Sequence, residues 1–113
     1  HTRLQADWSS DVCSSDLHAE QDLRDIARYT INKWGMAQAK RYETILSERF
    51  QEIAQGVVTP RTFLKRKPDL LFTHCEHHYI FYLQSKKGAN PIILAVLHER
   101  MDLMQRLKNR LAT

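Results

Sequence analysis

Two helical patterns that meet at a single glycine constrain the fold of this chain more than any other feature. Apolar residues of the first pattern recur mostly every three or four positions and are Leu23, Ile26, Ala27, Ile31 and Trp34. Those of the second pattern are Ala39, Tyr42, Leu46, Phe50 and Ile53. This spacing predicts two amphipathic helices, ending at Gly35 and Gly56, because glycine adopts the left-handed conformation of a C-terminal stop. A link this short requires antiparallel helices that share a core.

The second half of the chain predicts a small sheet and a last helix. Segment 57–69 contains two prolines, has no periodicity and predicts a loop. Segments 70–74, 78–83 and 92–97 are apolar, aromatic or β-branched and predict a three-strand antiparallel meander. A C-terminal helix is predicted by the spacing of Leu103, Met104, Leu107 and Leu111. This order of elements predicts an α+β fold in which the helix pair packs on the sheet.

Length and composition limit the chain to one small domain. It has 113 residues, of which 42% are hydrophobic and 27% charged, as is usual for a globular protein. No apolar run approaches the roughly 18 residues of a membrane span, and the start does not resemble a signal peptide. Two cysteines, Cys13 and Cys75, are too few for a disulfide framework and favour the cytoplasm. The net charge of +4 favours an acidic partner.

The first 17 residues do not share the patterns of the rest. Segment 7–17 is dominated by Ser and Asp, and it matches one translated frame of a common sequencing-library adapter. We therefore expect residues 1–17 to be a non-native or disordered segment and residues 18–113 to be the folded domain. Without the first segment, 16 basic and 10 acidic residues remain, so the net charge rises to +6.

Three phrases in the remaining chain resemble the ParE branch of the RelE/ParE toxin superfamily. They are AEQDLRDIARYT at 19–30, HYIFY at 78–82 and VLHERMD at 96–102. The resemblance implies the toxin of a type II toxin–antitoxin pair, which poisons DNA gyrase and is neutralised by a ParD-like ribbon-helix-helix antitoxin. It also implies an edge strand before the first helix. The adapter-like segment occupies that place, so we expect the native first strand to be replaced.

Two alternatives remain on the same fold, because function depends on the site. RelE-like relatives cleave mRNA in the ribosome, which requires bases, donors and a guanidinium group on one face. The candidates for that chemistry are His78, Tyr82, His98 and Arg100. The third reading is an inactive remnant that only binds antitoxin. A non-enzymatic inhibitor of a topoisomerase ranks first, since the chain has no Gly-rich phosphate loop, nucleophile elbow or paired-carboxylate motif.

Three surfaces are predicted for a toxin that acts by binding. The target-binding set, where the last strand meets the last helix, is His98, Arg100 and Asp102. The antitoxin groove along the helix pair is predicted at Leu23, Ile26, Tyr42, Leu46 and Phe50. A basic patch that suits nucleic acid or an acidic partner is formed by Arg61, Lys65, Arg66 and Lys67.

The run HCEHH at 74–78 does not predict a metal site. Strand alternation places His74 and Cys75 on opposite faces, and zinc needs three or four converging ligands. Cys75 is predicted to be a small buried hydrophobe, and no cofactor is expected. Trp34, Phe50 and Phe81 are predicted to be core residues, because each continues an apolar pattern.

Overall fold

The computed structural model describes residues 14–15, 17–84 and 91–111, with side chains from 19 to 84 and from 91 to 109. The predicted α+β fold is confirmed. In chain order, the elements are β1 (Ser14–Ser15), α1 (Leu17–Trp34), α2 (Met36–Gln55), β2 (Arg61–Leu64), β3 (Lys67–Cys75), β4 (His78–Leu83), β5 (Ile92–His98) and α3 (Leu103–Leu111).

The two long helices form the predicted pair and end at the predicted glycines. Gly35 joins α1 to α2 with a φ of 94°, and Gly56 ends α2 with a φ of 76°. Both angles lie in the region that a side chain disfavours. The Gly56 N–H faces the carbonyls of Glu52 and Ile53, so the last turn of α2 keeps hydrogen-bond partners.

The sheet has the strand order β1-β5-β4-β3-β2. β3, β4 and β5 form the predicted antiparallel meander. The predicted turn between β3 and β4 is present at Glu76 and His77, and Glu76 has a φ of 58°. Directly after this turn His78 pairs with Cys75 on one side and with His98 on the other. The meander therefore brings three histidines, His77, His78 and His98, to one end of the sheet.

The prediction of a loop over 57–69 is wrong in its second half. Arg61–Leu64 is the edge strand β2, and β3 begins at Lys67, so the two form a hairpin around Lys65 and Arg66. The ladder is irregular between Thr62 and Leu64. That irregularity faces the segment containing Pro68, which has no N–H to donate. The two prolines and the cations favoured a loop, but Arg61–Leu64 is an edge strand that Phe63 anchors to the sheet.

The edge strand β1 lies inside the adapter-like segment. Ser14 and Ser15 pair in parallel with Ile92 and Ile93 of β5. The sheet thus has a short strand at the place where the family resemblance implies one. Residues 1–13 and 16 lie outside the described part of the chain.

Two apolar clusters cover the two faces of the sheet, as strand alternation requires. The helix pair covers one face. The largest fully buried residues of the cluster between the helix pair and that face are Leu23, Leu46, Phe50, Ile53, Ile80, Tyr82 and Ile93. On the other face, Leu107 of α3 is buried in one cluster with Leu70, Phe81, Ala95 and Leu97 of the sheet. The predictions of Phe50, Phe81 and Cys75 as buried residues are confirmed. Burial of a side chain such as Phe50 stabilises the fold by roughly 1.5–3 kcal/mol.

Candidate functional site

A groove of about 940 Å³ lies beside the end of β5. The groove is the space between the outer side of α1, the start of α2, the β3–β4 turn and the segment after β5. Tyr29 and Trp34 of α1 line it, and Arg100 and Met101 line the opposite wall. Elements that are distant in sequence therefore build one concave surface.

Exposed apolar side chains line the groove. Tyr29 is 60% exposed, Trp34 63% and Met101 41%. The Lys33 ammonium lies 5.9 Å from the ring centroid of each aromatic residue. Exposed apolar patches of this kind mark surfaces that bind other molecules.

The prediction of Trp34 as a core residue is wrong. Trp34 is the last residue of α1, and the chain turns into α2 directly after Gly35. The other described elements leave the end of α1 uncovered, as the exposure of Trp34 shows. Its helical spacing was correct, but the sheet does not extend beneath this turn of the helix.

The outer edge of β5 forms the floor of the groove. Among the described residues, β1 pairs with Ile92 and Ile93, and the groove lies further along β5 at Val96 and His98. Further along β5, the N–H of Val96 donates to the Asp22 carboxylate of α1, with an N-to-O distance of 2.9 Å. A buried backbone donor needs such a partner. Asp22 therefore attaches α1 to the edge of the sheet and fixes the width of the groove.

A histidine–glutamate cluster stands at one end of the groove. One Glu99 oxygen lies 3.0 Å from His74 Nε2, and the other lies 3.4 Å from His77 Nδ1. The hydrogen bonds from these two rings lower the pKa of Glu99, because they stabilise its charged form. The Glu99 N–H also donates to the carbonyl of His77, at 2.9 Å. The cluster holds the β3–β4 turn against the segment that carries Arg100.

His78 lies beneath this cluster and is half-buried. Its Nδ1 is hydrogen-bonded to the Tyr42 hydroxyl, and its ring meets that of His98 edge to face, with 5.1 Å between the ring centroids. Burial first, and the nearby His98 second, together lower the pKa of His78 from 6.5 to about 4. Burial also raises the pKa of Tyr42 above its usual range. Both groups are thus neutral at physiological pH.

The structure brings together two of the three residues predicted to bind the target. His98 and Arg100 both line the groove, and the Arg100 N–H donates to His98 Nδ1 at 3.1 Å. Arg100 is exposed. Asp102 does not line the groove. Its Oδ1 accepts the Gln105 N–H at 3.1 Å, the bond of an N-cap residue at the start of α3.

The four candidate residues for ribonuclease chemistry do not share an accessible face. His78, His98 and Arg100 line the groove, but Tyr82 is 2% exposed and lies in the core beneath the helix pair. Its hydroxyl has no access to an RNA strand. His78 is also a weak base, because its pKa is lowered to about 4, well below the range that suits a general base at neutral pH.

Four of the five residues predicted to form the antitoxin groove are core residues. Leu23 and Leu46 are 1% exposed, Phe50 is fully buried and Tyr42 is 8% exposed. They form the contact between the helix pair and the sheet, so a partner cannot reach Leu23, Leu46 or Phe50 in the folded chain. Tyr42 and Ile26 line the groove. The accessible residues of α1 therefore lie on a different face of the helix from most of the predicted ones.

The predicted basic patch lies on the β2–β3 hairpin, at the edge of the sheet opposite to the groove. Arg61, Lys65 and Arg66 are exposed, and Lys67 is half-buried. The patch and the groove are therefore separate surfaces.

Sequence reasoning did not find Tyr29, Met101 and Glu99. Tyr29 lies off the apolar stripe of α1, and an aromatic residue on the polar side of a helix was the available signal. Met101 and Glu99 belong to the phrase at 96–102, but only the folded chain places them opposite α1. Among the described residues, no group of three or more His, Cys, Asp or Glu could hold a metal ion. No described helix is long and apolar enough to cross a membrane.

Comparison with known proteins connects this architecture with a family. Residues 16–103 match the family described as the ParE toxin of the type II toxin–antitoxin system parDE. The chain is also 44% identical over 93 residues to a toxin ParE of Escherichia coli, which covers 82% of this chain and 89% of that relative. The matched residues include both walls of the groove and the β2–β3 hairpin.

Proposed function

Because the chain belongs to the ParE toxin family of type II toxin–antitoxin systems, we propose that it poisons DNA gyrase in the bacterial cytoplasm. A ParD-like antitoxin would neutralise it. The family match over 16–103 supports the first part of this proposal. The groove between α1 and the end of β5 supports the second part, because it offers an antitoxin segment an exposed apolar surface.

An amphipathic antitoxin helix suits the groove. Tyr29, Trp34 and Met101 offer apolar contacts on both walls, and helix-in-groove recognition uses such anchors. The domain without its first 17 residues carries a net charge of +6, which attracts an acidic segment and speeds association. A helix in the groove would also cover Arg100. Occupation of one surface would then both hold the toxin and hide its target-binding side chain.

Arg100 is the residue we assign to the gyrase contact. It is exposed at the rim of the groove, and its planar fork of five donors suits a carboxylate or phosphate on the target. His98 supports it, because its Nδ1 accepts the backbone N–H of Arg100. We assign Asp102 to the N-cap of α3 rather than to the target contact.

Binding of the antitoxin is tested with Trp34→Ala and a matched control, Val57→Ala. Both side chains are similarly exposed, at 63% and 65%, but Val57 does not line the groove. Truncation of an aromatic anchor typically costs 2 kcal/mol or more, roughly 30-fold in affinity. We expect this loss for Trp34→Ala and almost none for Val57→Ala in titration calorimetry with the antitoxin. Equal affinities of the two variants would exclude the groove as the antitoxin site.

We further propose that the toxin domain spans 18–113 and that segment 7–17 is translated adapter. The family match begins at residue 16, close to the end of that segment. In this reading Ser14 and Ser15 pair with β5 in place of native residues. Resequencing of the source locus decides the matter, since an uninterrupted native reading frame through 7–17 would overturn it.

A further inference from the structure

Four cations cluster on the β2–β3 hairpin, where Asp69 of β3 is the nearest acid in the sequence. No Asp or Glu occurs between Glu52 and Asp69. Within the described part of the chain, the ion pairs found involve none of the four cations. The four residues that concentrate positive charge at this edge are Arg61, Lys65, Arg66 and Lys67.

The hairpin that carries these cations is anchored to the core. The ring of Phe63 meets those of Phe72 and Phe81 edge to face, with centroids 5.6 and 5.0 Å away. The guanidinium group of Arg61 lies 4.9 Å from the centroid of the Phe72 ring. The backbone that carries the charges is therefore ordered before a ligand binds. This order lowers the entropic cost of binding.

From this charge and shape, we propose that the β2–β3 hairpin binds the phosphate backbone of duplex DNA. The Gln84 N–H donates to the Asp69 carbonyl at 3.0 Å, which marks the described end of β4. Residues 64–67 extend beyond that point as a two-stranded tip. The major groove of B-form DNA, about 12 Å wide, admits a two-stranded β-ribbon, and cations on both sides of the tip face its phosphates.

Other polyanions suit the hairpin less well. An acidic peptide that added a strand would find β2 only four residues long, preceded by Pro60 and lined with cations, and such features block strand addition. Single-stranded nucleic acid requires exposed aromatic rings for stacking, but Phe63 and Phe72 are half-buried against each other. Duplex RNA has a deep and narrow major groove that does not admit a ribbon.

The hairpin acts independently of the groove. β2 and β5 are at three strand spacings from each other in the sheet order, or about 14 Å at the usual spacing of strands. An antitoxin that fills the groove therefore leaves the hairpin accessible. The toxin–antitoxin complex should therefore bind duplex DNA through the hairpin with the same affinity as the free toxin.

The test compares two variants that lose the same charge. Lys65→Gln/Arg66→Gln removes two exposed cations from the hairpin, and Lys40→Gln/Arg41→Gln removes two exposed cations from α2. Binding to a short fluorescent duplex is measured by anisotropy while the salt concentration changes. If all four cations contact phosphates, the affinity of the unchanged chain falls roughly 150-fold between about 50 and 200 mM salt. For the hairpin variant that decrease falls to about 12-fold, and for the α2 variant it stays near 150-fold.

Three outcomes would overturn the proposal. Equal losses in the two variants would mean that net charge, not the hairpin, attracts DNA. Tighter hairpin-dependent binding of a poly-glutamate peptide or of an RNA duplex would assign the surface to that partner. An unchanged salt dependence in the hairpin variant, with its circular dichroism spectrum intact, would show that these cations do not contact phosphate. None of these outcomes depends on gyrase inhibition, which is measured separately.

Discussion

Replacement of His78 by Asn should remove much of the pH dependence of stability between pH 7.5 and 5. Burial holds the folded-state pKa of His78 at about 4, against 6.5 for a free histidine. The unfolded chain therefore takes up a proton at a higher pH than the folded chain. Unfolding then consumes a proton in the window from 6.5 to 4, so the free energy of unfolding falls as the pH falls through it.

The size of this effect follows from the two pKa values. Acidification to below the folded-state pKa of His78 lowers the free energy of unfolding by about 3 kcal/mol in all. Roughly 2 kcal/mol of this decrease has occurred by pH 5. For a domain of this size, 2 kcal/mol lowers the melting temperature by about 10 °C. Because the pKa of Glu99 is lowered in the folded chain, its charged carboxylate stabilises the fold at neutral pH. This stabilisation is lost only as the pH falls through the range in which carboxyl groups titrate. It therefore contributes little to the window above pH 5.

Thermal unfolding followed by circular dichroism at pH 7.5, 6.5, 5.5 and 5 measures the effect. Asn keeps a polar atom near the position of His78 Nδ1 but does not titrate. Tyr42→Phe is the matched control, because it removes the hydroxyl partner of His78 and leaves the ring buried. It should lower stability by about 1 kcal/mol at every pH and keep the pH dependence. If His78→Asn lost as much stability on acidification as the unchanged chain, burial of His78 would not be the cause.

Three further substitutions test other parts of the structure. Asp102→Ala removes the N-cap of α3 and should cost about 1 kcal/mol in chemical denaturation without reducing gyrase inhibition per folded molecule; a loss of inhibition at full folding would return Asp102 to the target contact. Leu46→Ala leaves a cavity between the helix pair and the sheet and should cost roughly 2–5 kcal/mol, whereas a cost below 1 kcal/mol would mean that Leu46 is not a core residue. Arg100→Ala should abolish growth arrest at unchanged melting temperature, while Arg106→Ala on α3 should leave toxicity intact; a parallel fall in stability would make Arg100 structural.

Periodicity and glycine placement were enough to predict the helix pair and its two ends. The meander was equally readable, because aromatic and β-branched residues are concentrated in β4 and β5. β2 was missed because its strand character depends on Phe63 packing against Phe72 and Phe81, contacts that local composition does not show. Prolines and lysines around it favoured a loop.

The groove could be predicted only in part. Arg100 and His98 were found because they belong to a family phrase, but their distance from α1 depends on the Asp22 bond to Val96, a contact between residues 74 positions apart. The exposure of Trp34 was missed for a related reason. An apolar stripe gives the direction in which a helix faces, but it does not show how far the sheet beneath that helix extends.

Whether this toxin poisons gyrase is tested most directly by incubation of the purified chain with DNA gyrase, supercoiled plasmid and ATP. The proposed function predicts linear plasmid from trapped cleavage complexes after detergent and protease treatment, in amounts that rise with toxin. Linear plasmid should not form with Arg100→Ala or after addition of the antitoxin. Unaltered supercoiling activity and no linear plasmid, with a folded chain that cleaves mRNA on ribosomes, would contradict gyrase poisoning.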